Sequence, residues 1–228
     1  MIGAVRCPSR QHGMVGIRPL RMRDAAAWSE CRVRNERWLA AWDGRPPGTP
    51  AAGWADRHTP AVFTATLRVL RREARAGRSL PFAITHDGRF AGQVTVSNLV
   101  RGAFASGSVG YWVDEQVAGR GVAPTALALV IDHCFAEAGL HRVEADVRPE
   151  NLKSIRVMEK LGFAREGLHR RMLFIDGDWR DHVSWALLAE DVPAGLPGLL
   201  AAAAGDTPPE VHRRRPDSHY GQRPWVAG

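Results

Sequence analysis

The apolar residues of the first third of the chain recur mainly at helical spacing. One short alternating segment, Val15–Arg21, comes first and predicts a strand. A helix is then expected from Asp24, its predicted cap, to about Leu39. Thr59-Pro60 opens a second helix, with threonine as N-cap and proline in the first turn, and Gly77 ends it.

Beyond the second helix, apolar and polar residues alternate, which predicts strands. Asp87-Gly88 and Asp176-Gly177 each join two such strands, and both are hairpin signals. Between the hairpins follow a strand (Gly107–Asp114), a long helix (Val122–Glu137), a strand (His141–Val147) and a short helix (Asn151–Leu161). This order predicts an α+β fold with a mixed, mostly antiparallel sheet and flanking helices.

The composition divides the chain into one domain with two less regular ends. The chain has 228 residues, and 45% of them are hydrophobic, enough to fill a core. Residues 1–13 show no periodic pattern and are expected to be disordered. Residues 14–190 hold every predicted element, and residues 191–228 are a Pro/Gly/Ala-rich segment expected to be loosely ordered.

Charge and cysteine usage narrow the class of protein. The net charge is +7, and residues 1–80 hold 15 arginines against 6 acids, which suits an acidic partner such as a phosphate-bearing cofactor. Charge alone does not favour nucleic-acid binding. Cys7, Cys31 and Cys134 form no Cys-x-x-Cys pair, so neither a disulfide framework nor a metal site is indicated. No apolar run resembles a signal peptide or a membrane span, so we expect a reduced, cytoplasmic protein.

The segment Gly119-Arg120-Gly121 stands between the Gly107–Asp114 strand and the long helix. Glycines allow a tight turn and a close approach of the backbone to a ligand. The first amides of a helix lack intrahelical partners and carry the positive end of its dipole, so they suit a pyrophosphate. A Gly-x-Gly pair also makes ordinary turns, and this one has no following Gly-Lys-Ser/Thr of a P-loop.

The segment Gln116–Ala123 resembles the Gln/Arg-x-x-Gly-x-Gly/Ala acyl-CoA signature of GNAT acetyltransferases. The likeness is greatest to the RimJ/RimL branch, the bacterial ribosomal-protein N-terminal acetyltransferases, and it covers roughly residues 15–190. Four further segments carry it: His141–Glu144, Arg148–Ser154, Glu159–Phe163 and the hairpin Asp176–Asp181.

The resemblance implies a GNAT fold, with acetyl-CoA held where the sheet splays between its third main strand and the strand after the long helix. Backbone groups of Trp112 and Val113 would pair with the pantetheine arm. Asn151 and Ser154 would lie near the thioester. The pyrophosphate would be held by the loop residues Val117, Gly119, Arg120, Gly121, Val122 and Ala123.

The resemblance also assigns the chemistry in part. A backbone N–H near Val113 would stabilise the oxyanion, and Ser154 would meet the leaving thiolate. The alternative for Ser154 is purely structural, since Asn151-x-x-Ser154 opens a helix. The glutamates that relatives use as bases are replaced here by Ser108 and Leu173.

The base therefore stays open at the level of sequence. Glu144 is a candidate but equally a surface ion pair, and we expect His133 and His141 to face solvent. His169 and His182 cannot be placed from the pattern. Proton removal through water is the remaining alternative.

The acceptor groove is expected around the first two helices. Four tryptophans lie there, each as much a candidate core residue as a substrate contact: Trp28, Trp38, Trp42 and Trp54. The Pro/Gly-rich loop 43–58 is the expected lid.

The resemblance favours acetylation of a protein N-terminus, of the ribosomal-protein type. Three alternatives stay open: a small-amine acetyltransferase acting on an antibiotic or polyamine, a non-catalytic acyl-CoA-binding module, and an arginine-based nucleic-acid binder. Monomer and homodimer are both compatible with the sequence.

Overall fold

The computed structural model describes residues 5–9, 13–48 and 52–205. Eight strands form one sheet in the order β1-β2-β3-β4-β5-β6-β8-β7. The strands are β1 (Val5–Ser9), β2 (Gly13–Pro19), β3 (Leu80–His86), β4 (Arg89–Val100), β5 (Ser106–Val113), β6 (Arg142–Val147), β7 (Ala164–Ile175) and β8 (Asp178–Leu188). All neighbours pair antiparallel except β5 and β6, which are parallel. The predicted α+β class with a mixed, mostly antiparallel sheet is confirmed.

Helices cover the sheet on both faces. They are α1 (Ala25–Arg34), α2 (Glu36–Leu39), α3 (Trp54–Arg57), α4 (Pro60–Arg75), α5 (Val122–Ala136), α6 (Leu152–Lys160) and α7 (Gly195–Ala204). Successive side chains of a strand point to opposite faces. On β3, Phe82 accordingly packs with α5, α6 and α7, while Ala83 packs with α1 and α4. We call these the α5 face and the α4 face. No helix in the described ranges is long and apolar enough to cross a membrane.

Local signals in the sequence place most element ends correctly. Thr59 accepts a hydrogen bond from the Val62 N–H at 3.2 Å and Pro60 follows it, so the predicted start of α4 is confirmed. Asn151 caps α6 by accepting the Ser154 N–H at 3.1 Å. Both predicted hairpins form, with Asp87-Gly88 and Asp176-Gly177 at their turns.

The first predicted helix differs in two respects. Asp24 precedes α1 without a capping bond to it, because its carboxylate is taken by Arg18, at 2.7 Å, and by the Arg21 N–H, at 2.8 Å. The helix is also broken at Asn35, which separates α1 from α2. Asn35 is buried and its side chain bonds to a distant loop, so a tertiary contact overrides the helical pattern.

Both chain ends contain more regular structure than the pattern predicts. Val5–Ser9 pairs with β2, although residues 1–13 are expected to be disordered; an edge strand needs no apolar face and tolerates Pro8. In the expected loose segment 191–228, Gly195–Ala204 forms α7, whose alanines favour helix and whose buried Leu199 packs into the core. Residues 206–228 lie outside the described part of the chain.

The sheet opens between β5 and β6. Their parallel pairing comprises only Ser106–Ser108 against Arg142–Glu144. Beyond it, β5 continues beside β4 as far as Val113, while β6 continues beside β8 as far as Val147. The two strands therefore separate in their second halves and leave a gap with backbone groups along both sides.

Candidate active site

The backbone of β5 presents alternate residues to the gap. The Asp114 N–H donates to the Ala91 carbonyl at 2.8 Å, so Asp114 faces β4. Backbone groups alternate in an antiparallel pair, so Trp112 also faces β4, whereas Val113 and Tyr111 face the gap. Of the two residues expected to pair with a ligand there, Val113 has the required direction and Trp112 does not. Trp112 instead contributes its indole to the α4 face.

Val113 is also tied to the acceptor side of the molecule. Its carbonyl accepts a hydrogen bond from the Trp38 indole N–H at 3.1 Å. The Val113 N–H points into the same gap, as the oxyanion prediction requires. Val113, at the end of β5, therefore accepts a hydrogen bond from Trp38 with its carbonyl and directs its N–H into the gap, where it can meet a developing negative charge.

The loop after β5 is anchored by a buried carboxylate. Asp114 accepts hydrogen bonds from Arg34 at 2.5 Å, Asn35 at 2.9 Å and the Gln116 N–H at 3.2 Å. Burial alone would raise the pKa of Asp114, but the hydrogen bonds from Asn35 and Arg34 outweigh it and hold that pKa below its ordinary value. Asn35 also accepts the Glu115 N–H at 2.9 Å, so the break between α1 and α2 fixes the loop.

Two glycines give the loop its shape before α5. Gly119 has φ 77° and Gly121 has φ 71°, both in the left-handed region that glycine adopts without a Cβ clash. A Cβ at Gly119 would have no neighbour within 4 Å, so the outside of the turn is open. Gly121 is the N-cap of α5, and the N–H groups of Val122 and Ala123 belong to its first turn. A glycine turn that ends in helix amides fits a pyrophosphate.

The other loop positions in the predicted cradle have mixed roles. The Val117 side chain packs partly into the core, and its carbonyl accepts the Arg120 N–H at 3.4 Å. These contacts close the turn between the strand and the helix. The guanidinium of Arg120 provides a positive charge between the two glycines.

Two hydroxyl groups meet on the α5 face of the gap. The Tyr111 hydroxyl lies 3.0 Å from the Ser154 hydroxyl. Burial raises the pKa of Tyr111 to about 12, so its phenol stays protonated at neutral pH. Ser154 thus lies beside the gap with a hydroxyl partner, while its N–H and Asn151 serve the helix cap. Helix capping, the structural alternative named above, therefore explains Asn151 and the backbone of Ser154, but it does not explain the position of the Ser154 hydroxyl.

Acidic and imidazole groups meet on the α4 face of β6, β7 and β8. The Asp146 carboxylate lies 3.4 Å from Nδ1 of His169. His182 stands directly opposite His169 in the β7–β8 register and is buried. Burial raises the pKa of Asp146 and lowers that of His182. Neither histidine could be placed from sequence, since the β7–β8 register decides their position.

The other positions considered for a base lie elsewhere or are already paired. Glu144 accepts a hydrogen bond from Arg142 at 2.6 Å, and Arg142 also binds Glu166. Leu173 is exposed on β7. His141 is exposed as predicted and lies 2.9 Å from Glu190.

His133 departs from the prediction of a solvent-facing side chain. It is half-buried, with its ring edge-on to Phe82 at 5.9 Å. Burial lowers the pKa of His133, as expected for an imidazole packed against an apolar strand.

The four tryptophans divide into two pairs. Trp28 and Trp54 are buried, and their indole N–H groups bond to Gln93 at 3.1 Å and to the Arg32 carbonyl at 2.6 Å, so both are structural.

Trp38 and Trp42 lie nearer the gap. The Lys153 ammonium lies 3.9 Å from the centre of the Trp38 ring, and Arg148 lies 5.4 Å from that of Trp42. A pair of cation–π contacts therefore lines the acceptor side.

The loop predicted as a lid is held at both of its ends by Arg32. This arginine is 7% exposed and pairs with Asp43, while its guanidinium lies 2.8 Å from Nε2 of His58. Burial and the neighbouring Arg32 lower the pKa of His58. Gly44 forms a bridge to Ile175, which links the loop to the β7–β8 hairpin. Residues 49–51 lie outside the described ranges, and the lid role stays a prediction.

Three residues of the site are absent from the sequence-based assignment: Asn35, Tyr111 and Asp146. Asn35 interrupts a helical pattern, Tyr111 reads as an ordinary alternating strand residue, and Asp146 reads as a polar strand position. Each acquires its place through strands or helices far apart in sequence. Within the described ranges, no group of three or more His, Cys, Asp or Glu side chains could hold a metal ion.

Comparison with known proteins identifies the family. Residues 15–164 match the acetyltransferase (GNAT) domain model. The chain is 28% identical over 181 residues to the [Ribosomal protein uS5]-alanine N-acetyltransferase of Escherichia coli, covering 78% of this chain and 90% of that protein. It is 43% identical over 105 residues to the probable N-acetyltransferase YjcK of Bacillus subtilis, which covers 46% of this chain and 58% of YjcK.

Solved structures agree with these matches. The structure of Mycobacterium smegmatis RimJ in complex with CoA-disulfide superposes with a TM-score of 0.80 at 45% identity, covering 88% of this chain and 93% of that one. RimL, a ribosomal L7/L12 α-N-protein acetyltransferase in complex with coenzyme A, has a TM-score of 0.67 at 18% identity. At that identity the likeness to RimL concerns the fold alone.

Proposed function

The chain belongs to the GNAT acetyltransferase family, on its RimJ/RimL-like branch, and from that premise we propose that it acetylates the N-terminal α-amine of a protein. Membership makes it an acetyltransferase that uses acetyl-CoA. The proposal for the acceptor rests on the match over 181 residues to an enzyme that acetylates the alanine of ribosomal protein uS5. A ribosomal-protein N-terminus is the acceptor class it favours.

The proposed cofactor site follows the gap and the glycine turn. The N–H groups of Val122 and Ala123, with Arg120, would hold the pyrophosphate, because helix amides and a guanidinium both favour phosphate oxygens. The gap-facing backbone of Tyr111 and Val113 would pair with the pantetheine amides. The thioester would then lie near the end of β5, where the Val113 N–H can stabilise the oxyanion of the carbonyl.

Ser154 is the proposed donor to the leaving sulfur. A serine hydroxyl has one proton, and it can be given to sulfur only if the partner at 3.0 Å acts as the donor between the two. Tyr111 suits this role, since phenol is the stronger acid of the two hydroxyls. Tyr111 would therefore be a positioning residue that leaves the proton of Ser154 free for the thiolate.

The free energy of deprotonation favours an α-amine over a lysine side chain. An α-amine has an unperturbed pKa of about 7.7–8.0, so roughly a tenth of it is neutral at pH 7. Lysine, with a pKa of about 10.4, is neutral only about once in 2,500 molecules, a difference of about 3.5 kcal/mol. Ser108 and Leu173 stand where relatives have glutamates, so the site is better matched to the α-amine, whose deprotonation costs less free energy.

Two matched peptides test the acceptor. One carries a free N-terminal alanine and no lysine, and the other is blocked at its N-terminus and carries one lysine. We expect mass spectrometry to show acetylation of the first at a much higher rate. Faster acetylation of the blocked peptide would contradict the proposal. Acetylation of neither peptide, with polyamines or aminoglycosides accepted instead, would establish the small-amine alternative.

A further inference from the structure

We propose that Asp146 on β6 is the general base that takes the proton from the acceptor amine, with His169 as its ion-pair partner. The inference rests on the acetyl-transfer function proposed above and supplies the base that the sequence leaves open. Three observations support it: the position of the Asp146 carboxylate, its incomplete hydrogen bonding, and its separation from the hydroxyls of Tyr111 and Ser154.

Position is the first argument. Pairing of β5 with β6 ends at Ser108 and Glu144, and Asp146 is the next residue of β6 on the same face, where the strands have separated. Across the gap at the corresponding level of β5 stands Gly110, which is exposed. A Cβ there would meet no atom within 4 Å, so the position across the gap from Asp146 is open. That space is large enough for at least a methyl-sized group such as an amine.

Incomplete hydrogen bonding is the second argument. Oδ1 of Asp146 is buried and has no hydrogen-bond partner within the described residues, although His169 lies within ion-pair distance at 3.4 Å. A buried carboxylate oxygen without a donor is costly, and the side chain as a whole is 18% exposed, so the carboxylate keeps a surface that a donor can reach. The groups facing Asp146 are His169 from β7, His182 and Ser184 from β8, and Glu144 from β6 itself.

The electrostatics agree with this role. Burial raises the pKa of Asp146, and Glu144 adds to the rise, while His169 and His182 oppose it. Arg142 pairs with Glu144 at 2.6 Å, and the effect of Glu144 on the pKa of Asp146 is smaller than that of burial. A carboxylate with a raised pKa is a better proton acceptor than an ordinary aspartate.

The third argument is the arrangement of base and acid. Asp146 is on the α4 face, and the hydroxyls of Tyr111 and Ser154 are on the α5 face, with the gap between them. The amine nitrogen bonds to the thioester carbonyl carbon and the carbon–sulfur bond breaks. The nitrogen gives one proton to Asp146, and the sulfur takes one from Ser154. Solvent then takes the proton of Asp146 and returns one to Ser154, so one proton moves in net from nitrogen to sulfur.

The test is the pH profile of kcat for three single variants. The acceptor is the peptide with a free N-terminal alanine, and the reaction is monitored through the release of the CoA thiol. We expect Asp146→Asn to lower kcat by about 100-fold and to remove the limb that belongs to the carboxylate, leaving the limb of the α-amine itself at about pH 7.7–8.0. His169→Gln should move the carboxylate limb to higher pH, because a neighbour that lowers the carboxyl pKa is lost. Glu144→Gln should move it to lower pH with an unchanged plateau, because a carboxylate that raises the pKa is lost.

Opposite shifts from two neighbours would not arise from a merely structural carboxylate. Calorimetry should give an acetyl-CoA Kd within twofold of the wild type for all three variants. Asp146→Asn with kcat within threefold of the wild type and an intact carboxylate limb would overturn the inference. If the wild type acetylates the blocked lysine peptide instead, the acceptor proposal fails, and the same variants test Asp146 on that peptide.

Discussion

The proposed cofactor side and the proposed acceptor side of the gap, called the cofactor side and the acceptor side below, are built in different ways. The cofactor side is a continuous stretch of chain, from β5 through the glycine turn to α5 and on to α6, and backbone groups define it. The acceptor side joins α1, α2, the loop 43–58 and the β7–β8 hairpin, and side chains define it. A local backbone motif is visible in sequence, whereas a cluster such as Arg32 with Asp43 and His58 is not.

The two sides meet at the end of β5. The Trp38 indole bonds to the Val113 carbonyl, and Asn35 and Arg34 bond to Asp114. The helices α1 and α2 thereby orient the turn that is proposed to hold the cofactor. Each side should therefore be open to separate damage, with these contacts among those that couple them.

The largest effect is expected from Gly121→Glu on the cofactor side. The carboxylate would repel the pyrophosphate and the turn would be strained at φ 71°. We expect the acetyl-CoA Kd measured by calorimetry to rise about 1,000-fold, which is about 4 kcal/mol. Gly77 has the same φ and ends α4 away from the gap, so Gly77→Glu is the matched control. Wild-type binding by a folded Gly121→Glu protein would remove this turn from the site.

Asp43→Asn is expected to have the next largest effect, on the acceptor side. It leaves Arg32, which is 7% exposed, without its carboxylate partner. We expect the free energy of unfolding in urea to fall by about 3 kcal/mol, while the acetyl-CoA Kd stays unchanged. Glu30→Gln, at an exposed ion pair with Arg34, is the control and should cost less than about 0.5 kcal/mol. A folded Asp43→Asn protein with weakened cofactor binding would show that the two sides are coupled.

Ser154→Ala tests the chemistry on the cofactor side. Because the thiolate charge develops in the transition state, we expect kcat to fall about 30-fold, or about 2 kcal/mol, with a smaller rise in the acetyl-CoA KM. Tyr111→Phe should lower kcat by a similar factor, and the double variant should be no slower than the slower single one. A change in KM alone would make Ser154 a binding or capping residue.

The smallest expected effect is the pH dependence of stability that arises from His58. Its pKa is lowered from 6.5 in the folded protein, so unfolding takes up a proton as the pH falls. The stabilising contribution is present above pH 6.5 and is lost as the pH falls below that value. Urea unfolding of His58→Gln between pH 5 and pH 8 should show a shallower decline than the wild type.

The exposed His141, which pairs with Glu190, supplies the control, since His141→Gln should leave that slope intact. A wild-type slope in His58→Gln would assign the dependence to His133 and His182, whose pKa values burial also lowers.

The sequence alone determined most of the elements and the glycine turn before α5. Period, caps and glycines are local properties, so the hairpins, the start of α4 at Thr59 and the Gly119–Gly121 turn followed from a few neighbouring residues each. The family resemblance added the cosubstrate, acetyl-CoA, and the family matches support it. The α7 helix was missed because Gly195 and Pro197 in its first turn resemble loop signals.

Only the tertiary structure decided which groups meet at the gap. The direction of the Trp112 and Val113 backbones depends on the β4–β5 register, and a shift of one residue would exchange them. Tyr111 reaches Ser154 across 43 positions of sequence, and Asp146 meets His169 through β8, which lies between their strands. Such contacts depend on strand order and register over long separations, and no short window of residues contains that information.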